Sequence, residues 1–203
     1  MKKKFLYRVH MEAASVSFSL TPADPYPVDV LYEDSDAPVL LLCEHAGQAV
    51  PAALGDLGVS AHILDSHRGW DIGAADVARK LAENLSAPLV LQRYSRLVID
   101  ANRPPDTTES IPEISDGIAI PGNKGLTVEE RNDRARNIFK PMNETIQRLF
   151  DANRRSAAFS IHSYTPRLGT STRPWHAGFL NRANLQTAEQ LRAVVAEAAP
   201  DLS

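Results

Sequence analysis

The chain has a single cysteine, Cys43, in 203 residues. An internal disulfide framework is therefore excluded, and a reducing cytoplasm is the expected setting. No charge of one sign dominates: the formal net charge is -3. There is thus no global basic field of the kind that nucleic-acid binding needs. No apolar run approaches the ~20 residues of a membrane span. The opening "MKKKFLYRVH" is basic but lacks a long apolar stretch and a small-residue cleavage site, so it does not read as a signal peptide. Met11 is an alternative start. No internal repeat and no low-complexity tract interrupt the chain. The expected partner is a small molecule rather than a nucleic acid or a membrane.

Hydrophobic residues make up 43% and charged residues 23%, the balance of an ordinary globular chain. The length suits one domain with a substantial core. Residues 1–37, rich in Pro, Asp and Ser after position 12, read as an N-terminal extension and a loose lead-in. Residues 38–203 are then expected to form a single α/β hydrolase-type domain.

Val39–Cys43 is a continuous apolar run, the pattern of a strand covered on both faces. "DIGAADVARKLAENL" places Ile72, Ala75, Ala78, Leu81 and Leu85 near helical spacing. "APLVLQR" and "RLVIDANR" read as two further strands. Residues 104–126 form a long loop rich in Pro, Gly, Ser and Asp, a length that in compact domains tends to mark function. Thr127 and Glu130 match a capping box. The stripe Ile138, Met142, Ile146, Leu149, Phe150 follows, and Pro141 inside it is expected to kink or divide the helix. "AAFSIHS" and "HAGFLN" read as strands, and "NLQTAEQLRAVVAEA" as a last helix. This alternation predicts an α/β fold with a mixed, mostly parallel sheet between helix layers.

In such sheets ligands bind beyond the carboxyl ends of the strands. Three predicted strands end in unusual chemistry: Glu44-His45 after Val39–Cys43, Asp100-Ala101-Asn102-Arg103 after Leu97–Ile99, and His162-Ser163 after Phe159–Ile161. Two imidazoles and a carboxylate at one sheet edge are what a catalytic zinc requires. His45 and His162 are the imidazoles, with Glu44 or Asp71 as the carboxylate. Glu44 and His45 can share a metal only where the chain has already turned, since adjacent strand side chains face opposite ways. Gly47 makes such a turn available. Each residue also has an ordinary reading. A lone strand-end histidine is more often a structural hydrogen-bond partner. Asp71 could cap the helix that follows it. Asn102-Arg103 could be a surface turn, and His62 is expected to be exposed.

Other chemistries fit poorly. Ser163 lacks the G-x-S-x-G frame of a nucleophile elbow. Cys43 sits in an apolar run and reads as a buried small hydrophobe. "IPGNKG" lacks P-loop spacing.

The blocks "LCEHAGQAVP", "HRGWDIGA", "SRLVIDANRP", "AIPGN" and "SIHSYTP...RPWHAG" occur in this order. Together they resemble the N-formylglutamate amidohydrolase family, from about Val39 to Phe179. That family is distantly similar to zinc carboxypeptidases and aspartoacylases. The resemblance implies a three-layer, phosphorylase/hydrolase-like fold with one Zn²⁺ per chain. It also implies hydrolysis of an N-acyl amino acid amide, N-formylglutamate giving glutamate and formate, in histidine degradation. His45, Asp71 and His162 would hold the metal, with His67 as a further ligand or support. Asn102 and Arg103 would grip the substrate carboxylate, and Arg96 its second charge. The family pattern is also expected to carry a glutamate base in an "E-x-R" strand near the C-terminus. No such segment follows Phe179. The expectation is then that the base and the last strand lie beyond Ser203, leaving an open sheet edge, or that Glu44 is the base. A related zinc deacylase or carboxypeptidase-like hydrolase, and a metal- or anion-binding relative without turnover, are the alternative readings.

Overall fold

The computed structural model describes residues 18–181 and 184–202, so the first half of the N-terminal extension lies outside the described residues. The described chain forms two compact units, one reaching Ser163 and the other running from Tyr164 onward.

The first unit is built on a four-stranded sheet. In chain order its elements begin with β1 (Val28–Leu31), β2 (Val39–Cys43), the short α1 (Ala61–Leu64), α2 (Ala74–Leu85) and β3 (Leu89–Gln92). They continue with the small hairpin β4 (Ile114–Ser115) and β5 (Ile118–Ala119), then α3 (Val128–Arg134), α4 (Lys140–Ala152) and β6 (Ala157–Ser160). The sheet order is β1-β3-β2-β6. β2 runs parallel to both β3 and β6, while β1 is antiparallel to β3.

β2 lies in the middle, which is why its five residues are apolar without alternation. Leu41 and Cys43 point to one face, against Leu89, Leu91 and the stripe Ala74, Ala78, Ala82 of α2. Leu40 and Leu42 point to the other, against Val90, Val28, and Met142 and Leu149 of α4. Each buried leucine contributes about 1.5–3 kcal/mol over its exposed state. The α2 face differs from the predicted stripe. Ala75, Ala78 and Leu81 of that stripe pack against the core, but Ile72 and Leu85 are exposed, and the most buried positions are Ala74, Ala78 and Ala82 at i, i+4 and i+8. Their small side chains allow the helix to lie close on the sheet.

The capping box at Thr127–Glu130 forms as predicted. Pro141 stands in the first turn of α4, and the five residues before that helix, Ala135–Phe139, form a π-helical turn. A proline without an N–H is accommodated where helical pairing is already displaced.

Three sequence expectations are corrected. The lead-in segment contains β1, because its Val-Asp-Val-Leu backbone pairs along β3. Leu97–Ile99 is not a strand. These residues are apolar because they are buried with Tyr94, Ile111, Ile120 and Ile138 in a core beyond the strand ends. The 104–126 segment, read only as a long loop, carries the β4–β5 hairpin.

In the second unit, β7 (Arg167–Leu168) and β8 (Ser171–Thr172) form a short hairpin. The predicted strand "HAGFLN" is irregular there: residues 176–181 enter no sheet. The last helix, α5 (Leu185–Ala198), is present, with Asn184 accepting a hydrogen bond from Thr187 N at its start.

Candidate active site

Parallel register explains the first juxtaposition. Leu42 pairs with Ser160, so the residues two further along, Glu44 and His162, emerge side by side. Ile161 N donates to Leu42 O and carries the ladder to the sheet edge. Beyond Cys43 the chain turns at Glu44-His45. That turn lets both side chains reach the site. Gly47 is required next, because a Cβ there would stand 2.1 Å from Arg93 O. Gly69 is required for the same reason, its Cβ falling 2.0 Å from Leu64 O. The Gly69 loop then delivers Asp71, whose N–H donates to His45 O.

His45, Asp71 and His162 converge so that one ligand atom of each lies within 4.8 Å of the others, a group that could hold a metal ion. Asp71 Oδ2 is 2.9 Å from His162 Nδ1 and 3.3 Å from His45 Nδ1, and it accepts Ser163 N at 3.3 Å. The two imidazoles meet edge to face, 4.8 Å between centroids. Asp71 is therefore not the helix cap; Gly73 occupies that position.

Glu44 is buried. Its Oε1 accepts Ser160 Oγ at 2.7 Å, while Oε2 lies 3.4 Å from His162 Nε2 and accepts no hydrogen bond. Asn102 Nδ2 approaches the same His162 Nε2 at 3.5 Å. Arg103, next in the chain, is exposed. Arg96 donates to Asp71 Oδ1 and Asp100 Oδ2, so its guanidinium is engaged by two carboxylates. His67 is not in the cluster; it pairs with Asp116 at the tip of the β4–β5 hairpin. His62 is exposed.

One site residue escaped the sequence reading. Asp100 Oδ1 lies 2.7 Å from His45 Nε2, the ring nitrogen opposite the one that faces Asp71. A carboxylate behind a histidine fixes the ring's tautomer and orientation. The available signal was the "D-A-N-R" run itself, where Asp100 stands two residues from Asn102.

The electrostatics are those of a cation site. Glu44, Asp71 and Asp100 are all buried, and Arg96 is the guanidinium among them. With neutral imidazoles, three carboxylates against one guanidinium leave two negative charges, which a divalent cation would balance. Burial opposes ionisation of Asp71, yet the hydrogen bonds from His162 and His45 outweigh it and hold the carboxyl well below the usual range. Asp100 and Glu44 are lowered in the same way, by His45 and by His162 with Ser160 respectively. Burial likewise disfavours a charged His162, but Asp71 and Glu44 push its pKa up to about 9. His45 is raised by Asp100 and Asp71 against its burial. Protons on the imidazoles thus occupy the electrostatic role of a metal cation. The donor set of two imidazoles and a carboxylate fits a bound Zn²⁺.

The family model for N-formylglutamate amidohydrolase matches residues 37–202. The chain belongs to this family. It is 31% identical to an N-formylglutamate deformylase of Pseudomonas putida, over 79% of this chain and 67% of that protein. It also resembles the crystal structure of a gene product from Agrobacterium tumefaciens, with a TM-score of 0.83 and 38% identity, over 89% of this chain and 73% of that one. The amidohydrolase membership agrees with where four of the five sequence blocks meet. "CEHAG", "HRGWD", "DANRP" and "SIHS" supply Glu44-His45, Asp71, Asp100-Asn102 and His162. "AIPGN" stands apart from them.

Proposed function

We propose that this chain is a zinc-dependent amidohydrolase that cleaves the amide of an N-acyl amino acid of the N-formylglutamate type, giving the free amino acid and formate. The observation that carries the reading is the convergence of His45, Asp71 and His162 beside the buried carboxylate of Glu44, whose Oε2 faces His162 Nε2 at 3.4 Å. In this reading the three converging residues hold one Zn²⁺ per chain. When bound, the metal supplies Lewis acidity and a more acidic water. Glu44 is the base: its Oε2, which faces His162 Nε2 at 3.4 Å and accepts no hydrogen bond, can take a proton from the attacking water and hand it to the leaving amine. Asp100 holds the His45 ring. Arg96 neutralises Asp71 and Asp100, and Arg103 with Asn102 binds the substrate carboxylate through a planar fork and an amide.

The same reading takes the helices on the two faces of the sheet as the outer layers of a three-layer, phosphorylase/hydrolase-like sandwich. Residues 38–203 are taken as one catalytic domain, supported by the family match across 37–202. The setting is the cytoplasm and the role is in histidine breakdown. Among the described residues no helix is long and apolar enough to cross a membrane, which is compatible with that setting.

Two measurements test the proposal. Elemental analysis of gently purified protein is expected to find about one zinc per chain. Incubation with N-formylglutamate is expected to release formate in step with glutamate. Protein that holds no zinc and takes none up would remove the metal assignment. Zinc-loaded protein that releases no formate, but deacylates another N-acyl amino acid, would remove the substrate assignment.

A further inference from the structure

The block "AIPGN" lies outside the cluster of titratable groups, yet its asparagine is among the most buried polar residues. Asn123 is 1% exposed and Arg134 of α3 is 2% exposed. They form one unit: Arg134 Nη1 donates to Asn123 Oδ1 at 2.7 Å. Arg134 Nη1 also donates to Val98 O at 3.0 Å, and Nη2 to Gly122 O at 2.9 Å. Asn123 Nδ2 donates to Leu97 O and to Pro112 O, each at 2.8 Å.

The acceptors explain the arrangement. Leu97–Ile99 is buried but enters no sheet, so its carbonyls have no neighbouring strand. Buried carbonyls must find donors. Two consecutive ones, Leu97 O and Val98 O, find them in the Asn123 amide and the Arg134 guanidinium. Pairing with the chain beyond β2 ends at Ser95, and the turn at residues 96–98, where Val98 N donates to Ser95 O, leaves these carbonyls without strand partners. The segment ends two residues later at Asp100, which meets His45, followed by Asn102, which meets His162. Among the described residues Arg134 donates only to uncharged acceptors, and burial pushes its pKa down to about 10, so it remains a cation at neutral pH. A buried cation with no carboxylate bonded to it is costly to keep for packing alone.

We propose that Arg134 and Asn123 are positioning residues of the active site, which hold the 97–99 backbone so that Asp100 reaches His45 and Asn102 reaches His162. The proposal rests on the hydrolase reading above for its kinetic consequences, but its structural consequence is independent of that reading. Arg134→Lys keeps the charge and loses the fork. Asn123→Asp keeps the acceptor for Arg134 and loses the donor to Leu97 O, so it tests the same role without an unpaired cation.

The test takes both variants, alone and combined with Asp100→Asn, in the full chain. Three quantities are read: the denaturant midpoint, kcat on N-formylglutamate, and the imidazole ¹⁵N shifts of His45. Either single variant is expected to lower kcat about ten- to a hundredfold, the range for a group that orients a ligand. The His45 Nε2 ¹⁵N shift is expected to move, reporting loss of its hydrogen bond to Asp100. In the Asp100→Asn background the same change is expected to add less than about threefold, because the interaction it supports is already gone. A lowered midpoint with wild-type imidazole shifts, or full additivity with Asp100→Asn, would overturn the proposal. If wild-type protein does not hydrolyse N-formylglutamate, the hydrolase reading fails, and the imidazole shifts still decide the positioning role. Should Arg134→Lys fail to fold, the imidazole shifts of Asn123→Asp decide between the two outcomes.

Discussion

Asp71 Oδ2 lies 2.9 Å from His162 Nδ1, although 91 positions separate them in the chain. Asp71 arrives on the Gly69 loop and His162 on the chain leaving β6, so the contact joins two elements that share no local sequence. Removing His162 removes one of three converging ligands and the cation that lowers Asp71. His162→Ala is therefore expected to abolish zinc retention through dialysis and to lower formate release by at least a thousandfold. Full zinc content in the variant would show that His162 is not a ligand.

Arg103 is exposed and follows Asn102, whose amide approaches His162. A charge-assisted hydrogen bond contributes about 1.5–3 kcal/mol. Arg103→Ala is expected to leave zinc content unchanged and to raise KM for N-formylglutamate on the order of 10- to 100-fold, by steady-state kinetics. An unchanged KM would exclude Arg103 as the carboxylate partner.

The metal-free protein is expected to show a pH dependence opposite in sense to that of an ordinary carboxylate pair. His162 is raised from 6.5 to about 9 on folding. Its contribution is fully present below about pH 6.5 and is lost as pH rises through about 9. Asp71 and Glu44 are lowered, so their contribution is present above their unfolded values and is lost as acid protonates them. Denaturant midpoints of chelator-treated protein should peak near pH 5–6 and fall toward pH 9. With zinc bound, the imidazoles are neutral and the alkaline fall should vanish. A flat profile between pH 6 and 9 without metal would contradict the raised His162.

Cys43 ends the central strand with its side chain fully buried, and burial, with Glu44 and Asp71 nearby, pushes the thiol up to about 12. A thiol reagent at pH 8 is expected to leave the native protein unlabelled over minutes and to label one thiol per chain in denaturant. Rapid stoichiometric labelling of native protein would show that β2 opens readily at its end.

Gly47 faces Arg93 O with no room for a methyl group. Gly47→Ala is expected to lower stability by at least about 2 kcal/mol, since backbone must move to admit the Cβ. Because Glu44 and His45 lie just before it, zinc affinity should fall with it. A chemical denaturation curve that overlays wild type would refute the close approach.

Local pattern carried much of the fold. The unbroken apolar run Val39–Cys43 marked a strand covered on both faces, and the Thr127–Glu130 pair marked a helix start at the correct residue. Periodicity failed where burial and secondary structure part company. Leu97–Ile99 looks like a strand because it is buried, but side chains satisfy its carbonyls. Val28–Leu31 hides in a proline-rich stretch because antiparallel pairing with β3, not its own composition, makes it a strand.

For the site, residue type at strand ends pointed to Glu44, His45 and His162, because side chains at the carboxyl edge of a parallel sheet have few other places to point, whereas Asn102 and Arg103 follow a buried turn that only resembles a strand. Sequence alone could not rank Glu44 against Asp71, and it passed over Asp100. Those assignments depend on distances across loops: a parallel register that sets Glu44 beside His162, a glycine turn that aims Asp71 at both imidazoles, and a buried arginine and asparagine that hold Asp100 behind His45. Composition and short-range spacing encode which groups are present and on which elements. Only the packed chain decides which of them share a few ångströms, because that depends on contacts between segments that no local pattern specifies.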